Sequence, residues 1–224
     1  MGKKFFEEIE LFLFDMDGLL FDTETIYVGY GREVAKKMGY TITKDIVEKT
    51  TGVTNDKARI LFKESLGQDF PYDEMMGKVK NHILELAKKS EVPLKPGALE
   101  LLEFLRENNK EMILATSSDF FMAEALINGK DLKKYFSYFV TAEDVVHGKP
   151  DPEVFLIGAK KAGVSPEKTA VFEDSFNGIR AAHAAGTFPI MVPDKLKPTE
   201  EIEKLVYKKF NSLVEVLDYF KGND

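Results

Sequence analysis

Five short apolar runs punctuate the chain: Ile9 to Phe14, Met112 to Ala115, Tyr138 to Val140, Thr169 to Phe172 and Pro189 to Val192. They are strand-sized and do not alternate with polar residues, which predicts strands buried on both faces. The segments between them carry apolar residues at helical spacing. Leu99, Leu101, Leu102 and Leu105 mark one helix, Val154, Phe155, Ile157 and Ala162 a second, and Ile179, Ala182 and Ala185 a third. Strand and helix in turn predict an α/β fold, a Rossmann-like parallel sheet with helices on both faces.

The stretch between the first two runs is different. Helical patterns follow one another over Thr25 to Met38, Lys44 to Lys49, Asp56 to Leu66 and Tyr72 to Lys89, with Gly39 and Gly67 as stops and no strand signal among them. A block of that length is too long for an ordinary crossover. It predicts an inserted all-helical cap domain over residues 21–91, hinged near Leu20 to Thr23 and near Val92 to Gly97. Residues 1–20 and 92–224 then form the α/β core.

Composition narrows the classes of function. The 224 residues are 44% hydrophobic, enough for a substantial core, and the formal net charge is −7 without a long block of either sign. That argues against a nucleic acid polymer or a membrane surface as partner. The absence of cysteine excludes disulfides, thiolate catalysis and cysteine-bound metal. No apolar run approaches the ~20 residues that span a bilayer, and the amino terminus lacks the pattern of a signal peptide. A cytoplasmic protein with no obligatory protein partner is the expectation.

In open parallel sheets, ligands bind beyond the carboxyl ends of the strands. There the sequence places Asp15 and Asp17, then Thr116-Ser117-Ser118, then Gly148-Lys149-Pro150, then Glu173-Asp174-Ser175. Each group alone has an ordinary structural explanation as a turn, a helix N-cap or a loop. Together, carboxylates, a lysine and hydroxyls at successive strand ends compose a site for Mg2+ and phosphate. Magnesium takes hard oxygen ligands, supplied here by Asp15 and Asp174 with Glu173 as a further one. Asp15 and Asp17 are two apart on extended chain and point to one side, so one can attack while the other moves protons.

The run from Phe14 to Glu24, Phe-Asp-Met-Asp-Gly-Leu-Leu-Phe-Asp-Thr-Glu, resembles the first motif of the haloacid dehalogenase superfamily, in its phosphatase and phosphoglucomutase-like branch. Leu114 to Ser118 resembles the second motif, His147 to Phe155 the lysine motif, and Val171 to Gly178 the acidic motif. As a set they look similar to those of pseudouridine-5′-phosphatases and sugar-phosphate phosphatases. The resemblance implies that Asp15 is a nucleophile forming an aspartyl-phosphate and a metal ligand. Asp17 would be the general acid and base and give its backbone oxygen to the metal. Thr116 and the following amide at Ser117 would hold the phosphoryl group, Lys149 would neutralise it, and Asp174 would fix the metal.

These roles imply a magnesium-dependent phosphatase acting on a small phosphorylated metabolite, a sugar phosphate or a nucleoside monophosphate. The alternatives are a hexose-phosphate mutase and, less favoured, a non-catalytic sugar-phosphate sensor. Gly52 to Asp56 resembles the specificity loop of related caps, in which mutases place an arginine where Asn55 stands; Tyr27 stands where they tend to have histidine. Lys78, or another cap cation, is the candidate that would substitute. His82, His147 and His183 have no metal-ligand spacing. The pairs Phe120-Phe121 and Tyr135-Phe136 read as core or helix-packing aromatics.

Overall fold

A computed structural model describes residues 2–223. Six strands form one sheet: β1 (Leu11–Phe14), β2 (Glu111–Ala115), β3 (Tyr138–Val140), β4 (Thr169–Glu173), β5 (Phe188–Met191) and β6 (Lys208–Lys209). All neighbours are parallel, in the order β3-β2-β1-β4-β5-β6. β1 is central, with Leu13 opposite Ile113 on one side and Val171 on the other. The strand order reverses at β1, so the crevice at its carboxyl end is where this topology places ligands.

Alternation along β1 sorts its side chains into two cores. Phe12 and Phe14 face one side with Phe172 and Ile190, and there they meet α1 (Gly2–Glu8), α6 (Ala98–Glu107), α7 (Phe120–Gly129) and α11 (Leu213–Lys221). Leu11 and Leu13 face the other side with Ile113 and Val171, against α8 (Glu153–Ala162) and α9 (Phe176–Ala184). The expected two-faced sheet is therefore present. α10 (Glu200–Leu205) packs beside α9. No described helix is long and apolar enough to cross a membrane.

Between β1 and α6 come four helices: α2 (Thr23–Lys37), α3 (Lys44–Thr50), α4 (Asn55–Leu66) and α5 (Tyr72–Lys88). They share a small core of their own built on Val34, Ile46, Phe62, Phe70 and Met75. α5 does more than that. Its second half, Val79, Ile83 and Ala87, belongs to the main core together with Met122, Leu126 and Ile127 of α7. Gly129 permits the closest approach, since a Cβ there would come within 2.3 Å of the Ala87 carbonyl oxygen.

The helix marked by Leu99, Leu101, Leu102 and Leu105 is α6, whose buried stripe is Ala98, Leu101, Leu102 and Leu105. One expectation about packing needs correction: Phe120 and Phe121 are exposed. They stand in the first turn of α7, ahead of its buried stripe Met122, Ala123, Leu126 and Ile127, whereas Tyr135 and Phe136 are buried as expected.

Candidate active site

The strand ends gather one cleft of about 400 Å³, lined among others by Asp15, Asp17, Thr116, Ser117, Lys149, Glu173 and Asp174. Asp15 follows β1 directly, its N–H donating to the Phe172 carbonyl at 3.1 Å, and Thr116 follows β2 with its N–H on the Val140 carbonyl at 3.0 Å. Sheet register alone thus brings these residues within reach of Glu173 at the end of β4.

Lys149 arrives from a loop. The Glu153 carboxylate at the start of α8 accepts the N–H groups of Val146 and His147 at 3.0 and 2.7 Å, which ties the segment before Lys149 to that helix. The lysine is buried and its ammonium donates to Asp15 Oδ1 at 2.5 Å, Glu173 Oε1 at 2.7 Å and the Ala115 carbonyl at 3.1 Å. Burial opposes its charge, but Asp15 and Glu173 outweigh that and hold it above the usual lysine range. The other Asp15 oxygen accepts no hydrogen bond from a described residue, which leaves it open to the cleft.

Asp17 is held at both oxygens. Thr23 Oγ1 donates to Oδ1 at 2.8 Å and Ser118 Oγ to Oδ2 at 2.7 Å. Burial raises its affinity for a proton, and these two hydrogen bonds partly offset the rise. Burial likewise lifts Asp15 from 3.8 to about 7, opposed by Lys149 and aided by Glu173 and Asp17. Asp174 is raised for the same reason, with Glu173 and Asp15 adding repulsion.

Asp15, Glu173 and Asp174 each present a carboxylate oxygen, all within 4.8 Å of one another, so the trio could hold a metal ion. Three hard oxygen donors that repel one another when ionised fit a divalent cation. Two glycines make the cluster possible. Gly18, at φ +79°, leaves the space where a Cβ would come within 2.3 Å of Asp174 Oδ2, and a Cβ on Gly178 would come within 1.8 Å of Glu173 Oε1. Gly178→Ala should therefore push Glu173 off Lys149 and destabilise the fold by ~1–3 kcal/mol. Gly29→Ala in α2, where a Cβ meets nothing within 4 Å, should instead stabilise it slightly. Paired thermal melts read both, and a neutral Gly178→Ala would contradict the crowding.

The helical insert contributes the roof. Asn55 lines the cleft and accepts the Tyr72 hydroxyl at 2.8 Å. Tyr27 does not reach the cleft itself; it lines an adjoining cavity of about 500 Å³ between the insert helices and the strand-end segment Ser117 to Asp119, with Phe62, Tyr72, Met75 and Met76. Lys78 is not brought to either cavity. Its ammonium pairs with Glu74 at 2.8 Å on the outer side of α5, because Val79 takes the inward position, and the lysine that lines the cavity is Lys80. Glu24, absent from the expected site residues, lines both spaces. Burial, with Asp17 and Asp194 adding repulsion, lifts its carboxyl from 4.5 to about 7. Ser118 and Asp194 were missed as well; Ser118 stood within the quoted hydroxyl run, and Asp194 had no signal beyond following an apolar strand.

A family model of haloacid dehalogenase-like hydrolases matches residues 12–192, from β1 through β5. The chain belongs to that family. Among its relatives, the "Phosphorylated carbohydrates phosphatase" of Thermotoga maritima is 36% identical over 182 residues, covering 80% of this chain and 82% of that one. The "Probable pseudouridine-5′-phosphatase" of Drosophila melanogaster is 33% identical over 200 residues, 87% of this chain and 86% of its own. A haloacid dehalogenase family IA, variant 3 hydrolase from Entamoeba histolytica superposes with a TM-score of 0.78 at 26% identity, covering 95% of this chain and 100% of that one. The parallel sheet expected from the sequence is the fold of this haloacid dehalogenase-like family.

Proposed function

We propose that the protein is a magnesium-dependent phosphatase that hydrolyses a small phosphate monoester through an aspartyl-phosphate on Asp15. The observation that carries this reading is the state of that carboxylate. One oxygen is fixed by Lys149 at 2.5 Å, the other is open to the cleft, and Asp17 stands beside it with both oxygens oriented. An open Asp15 oxygen attacks phosphorus while Asp17 gives a proton to the departing alkoxide; Asp17 then takes a proton from the water that attacks the acyl phosphate. Asp17 starts and ends the cycle protonated. Burial raises the affinity of Asp17 for that proton, and the hydrogen bonds from Ser118 and Thr23 partly offset the rise.

Thr116 and the Ser117 amide would hold the phosphoryl oxygens, and Lys149 would offset their charge. Asp15, Asp174 and Glu173, with the Asp17 backbone oxygen, would hold Mg2+. The ion would neutralise the phosphoryl dianion and the carboxylates around it. Residues 21–91 would act as a cap over this centre, with Tyr27, Asn55 and the adjoining cavity facing the leaving group.

Hydrolysis is favoured over phosphate relay by the charges around the two spaces. Among the described residues lining them there is no arginine, and each lysine already has a carboxylate: Lys149 has Asp15, Lys195 has Asp194 at 3.4 Å, and Lys80 has Asp119 at 3.7 Å. A second phosphate on the substrate would find no free cation. The substrates for which these relatives are named, phosphorylated carbohydrates and a pseudouridine phosphate, fit a leaving group that is a sugar or a nucleoside. A phosphate-release screen over phosphorylated metabolites, with magnesium and with chelator, tests the reading. Turnover that persists in excess chelator, or isomerisation of a hexose 1-phosphate without release, would overturn it.

The raised carboxyls also predict how stability responds to pH. Asp15 binds its proton more tightly folded, at about 7, than at its ordinary 3.8. Its contribution is complete below about pH 4 and is lost as pH rises through about 7. A divalent cation replaces that proton. The rise in Tm on adding magnesium should thus be small near pH 5 and several degrees larger near pH 8, and equal rises at both would count against the cluster as the metal site.

A further inference from the structure

Asp194 follows β5 by three residues and lines the catalytic cleft, with a side chain only 5% exposed. Its Oδ1 takes the Lys95 ammonium at 2.7 Å and lies 3.4 Å from that of Lys195, while Oδ2 is buried and has no hydrogen-bond partner among the described residues. A buried carboxylate left half unsatisfied is a poor stabiliser, since desolvation and the missing bond offset the ion pairs. The consequence of the arrangement lies in what it holds.

It holds both crossings between the sheet and the helical insert. Lys95 lies in the returning crossing, which runs beside the outgoing one: Lys95 N–H donates to the Leu20 carbonyl at 2.8 Å and Asp22 N–H to the Pro93 carbonyl at 3.0 Å. Lys195 reaches the outgoing crossing directly, donating to Thr25 Oγ1 at 3.0 Å and lying 3.7 Å from Asp22 Oδ1. Between Asp22 and Thr25 sits Thr23, fully buried, whose hydroxyl donates to Asp17 Oδ1. A continuous set of contacts therefore runs from the end of β5 through both lysines to the carboxylate of Asp17.

We infer that Asp194 is a positioning residue for the reaction: through Lys95 and Lys195 it pins the two crossings and so sets, by way of Thr23, the orientation of Asp17. The inference rests on the phosphatase reading. It has a signature that a merely structural role lacks, because Asp17 matters most when the leaving group needs a proton. An alkyl phosphate needs it and p-nitrophenyl phosphate does not.

The test compares kcat/KM for the best alkyl phosphate of the screen and for p-nitrophenyl phosphate, in the magnesium-loaded full-length protein. In Asp194→Asn the alkyl substrate should lose at least about tenfold more than the aryl one, the mark of a weakened general acid. The exchange Asp194→Glu, which keeps a carboxylate for both lysines, should recover part of that difference. Should Asp194→Asn fail to fold, Lys195→Met makes the same comparison, since that side chain is 41% exposed and its removal leaves the core untouched. Equal losses on both substrates in a folded variant, or no recovery in the exchange, would overturn the positioning role while leaving the phosphatase reading intact. A wild-type protein that releases phosphate from neither substrate would overturn both.

Discussion

Asp15→Asn should abolish phosphate release, with a fall of at least about 10⁴-fold in kcat, the scale on which loss of a nucleophile acting with its partners is felt. The amide nearly matches the carboxylate in shape, so the sheet and the strand-end loop should survive. Its oxygen is a far weaker nucleophile, and Lys149 keeps only Glu173 as a charged partner. The measurement is phosphate release together with intact mass after rapid quench. Wild-type protein should carry an added phosphoryl group during turnover and the variant none. A phosphoryl label that persists in Asp15→Asn would move the nucleophile elsewhere.

Asp17→Asn should separate the two half-reactions. Both steps depend on its proton for an alkyl phosphate, so steady turnover should drop by ~10²–10⁴-fold. With p-nitrophenyl phosphate the leaving phenolate needs no proton, and the first step should proceed. Hydrolysis of the acyl phosphate still lacks its base. Stopped-flow absorbance should show a burst near one equivalent of nitrophenolate per enzyme, followed by slow turnover. Burst-free turnover at the wild-type rate would remove Asp17 from the mechanism.

The parts of the site that were readable before the structure are those that depend on local chain direction. A buried parallel strand announces its own end, so Asp15, Thr116 and Glu173 could be placed from apolar runs alone. Lys149 sits in a loop, and its position is legible only because the neighbouring motif is so specific. What could not be read depends on rotation or on distant convergence. On α5, Lys78 and Lys80 are equally charged in sequence, and only the inward packing of Val79, Ile83 and Ala87 decides which of them faces Asp119 across the cavity. Glu24 looks like an ordinary helix-start acid until burial places it beside Asp17 and Asp194. β6, two lysines long, carries no apolar signal and exists because the edge of β5 offers it a partner, with Ile190 opposite Lys208 and Met191 opposite Lys209.

The double allegiance of α5 bears on how such proteins can be recombined. Its first half completes the small core of the insert and its second half completes the main core against α7, with Gly129 lying on the Ala87 carbonyl. A chimera that takes residues 21–91 as one exchangeable module would import a foreign inner face at Val79, Ile83 and Ala87 and leave Met122, Leu126 and Ile127 without their fit. Junctions placed after Thr25 and in the turn between α4 and α5 would instead swap the rest of α2, with α3, α4 and the Gly52 to Asn55 loop, keep Thr23 and the anchoring helix native, and require the incoming helices to fit Tyr72 and Met75 of α5. The transferable unit of specificity is then smaller than the inserted sequence.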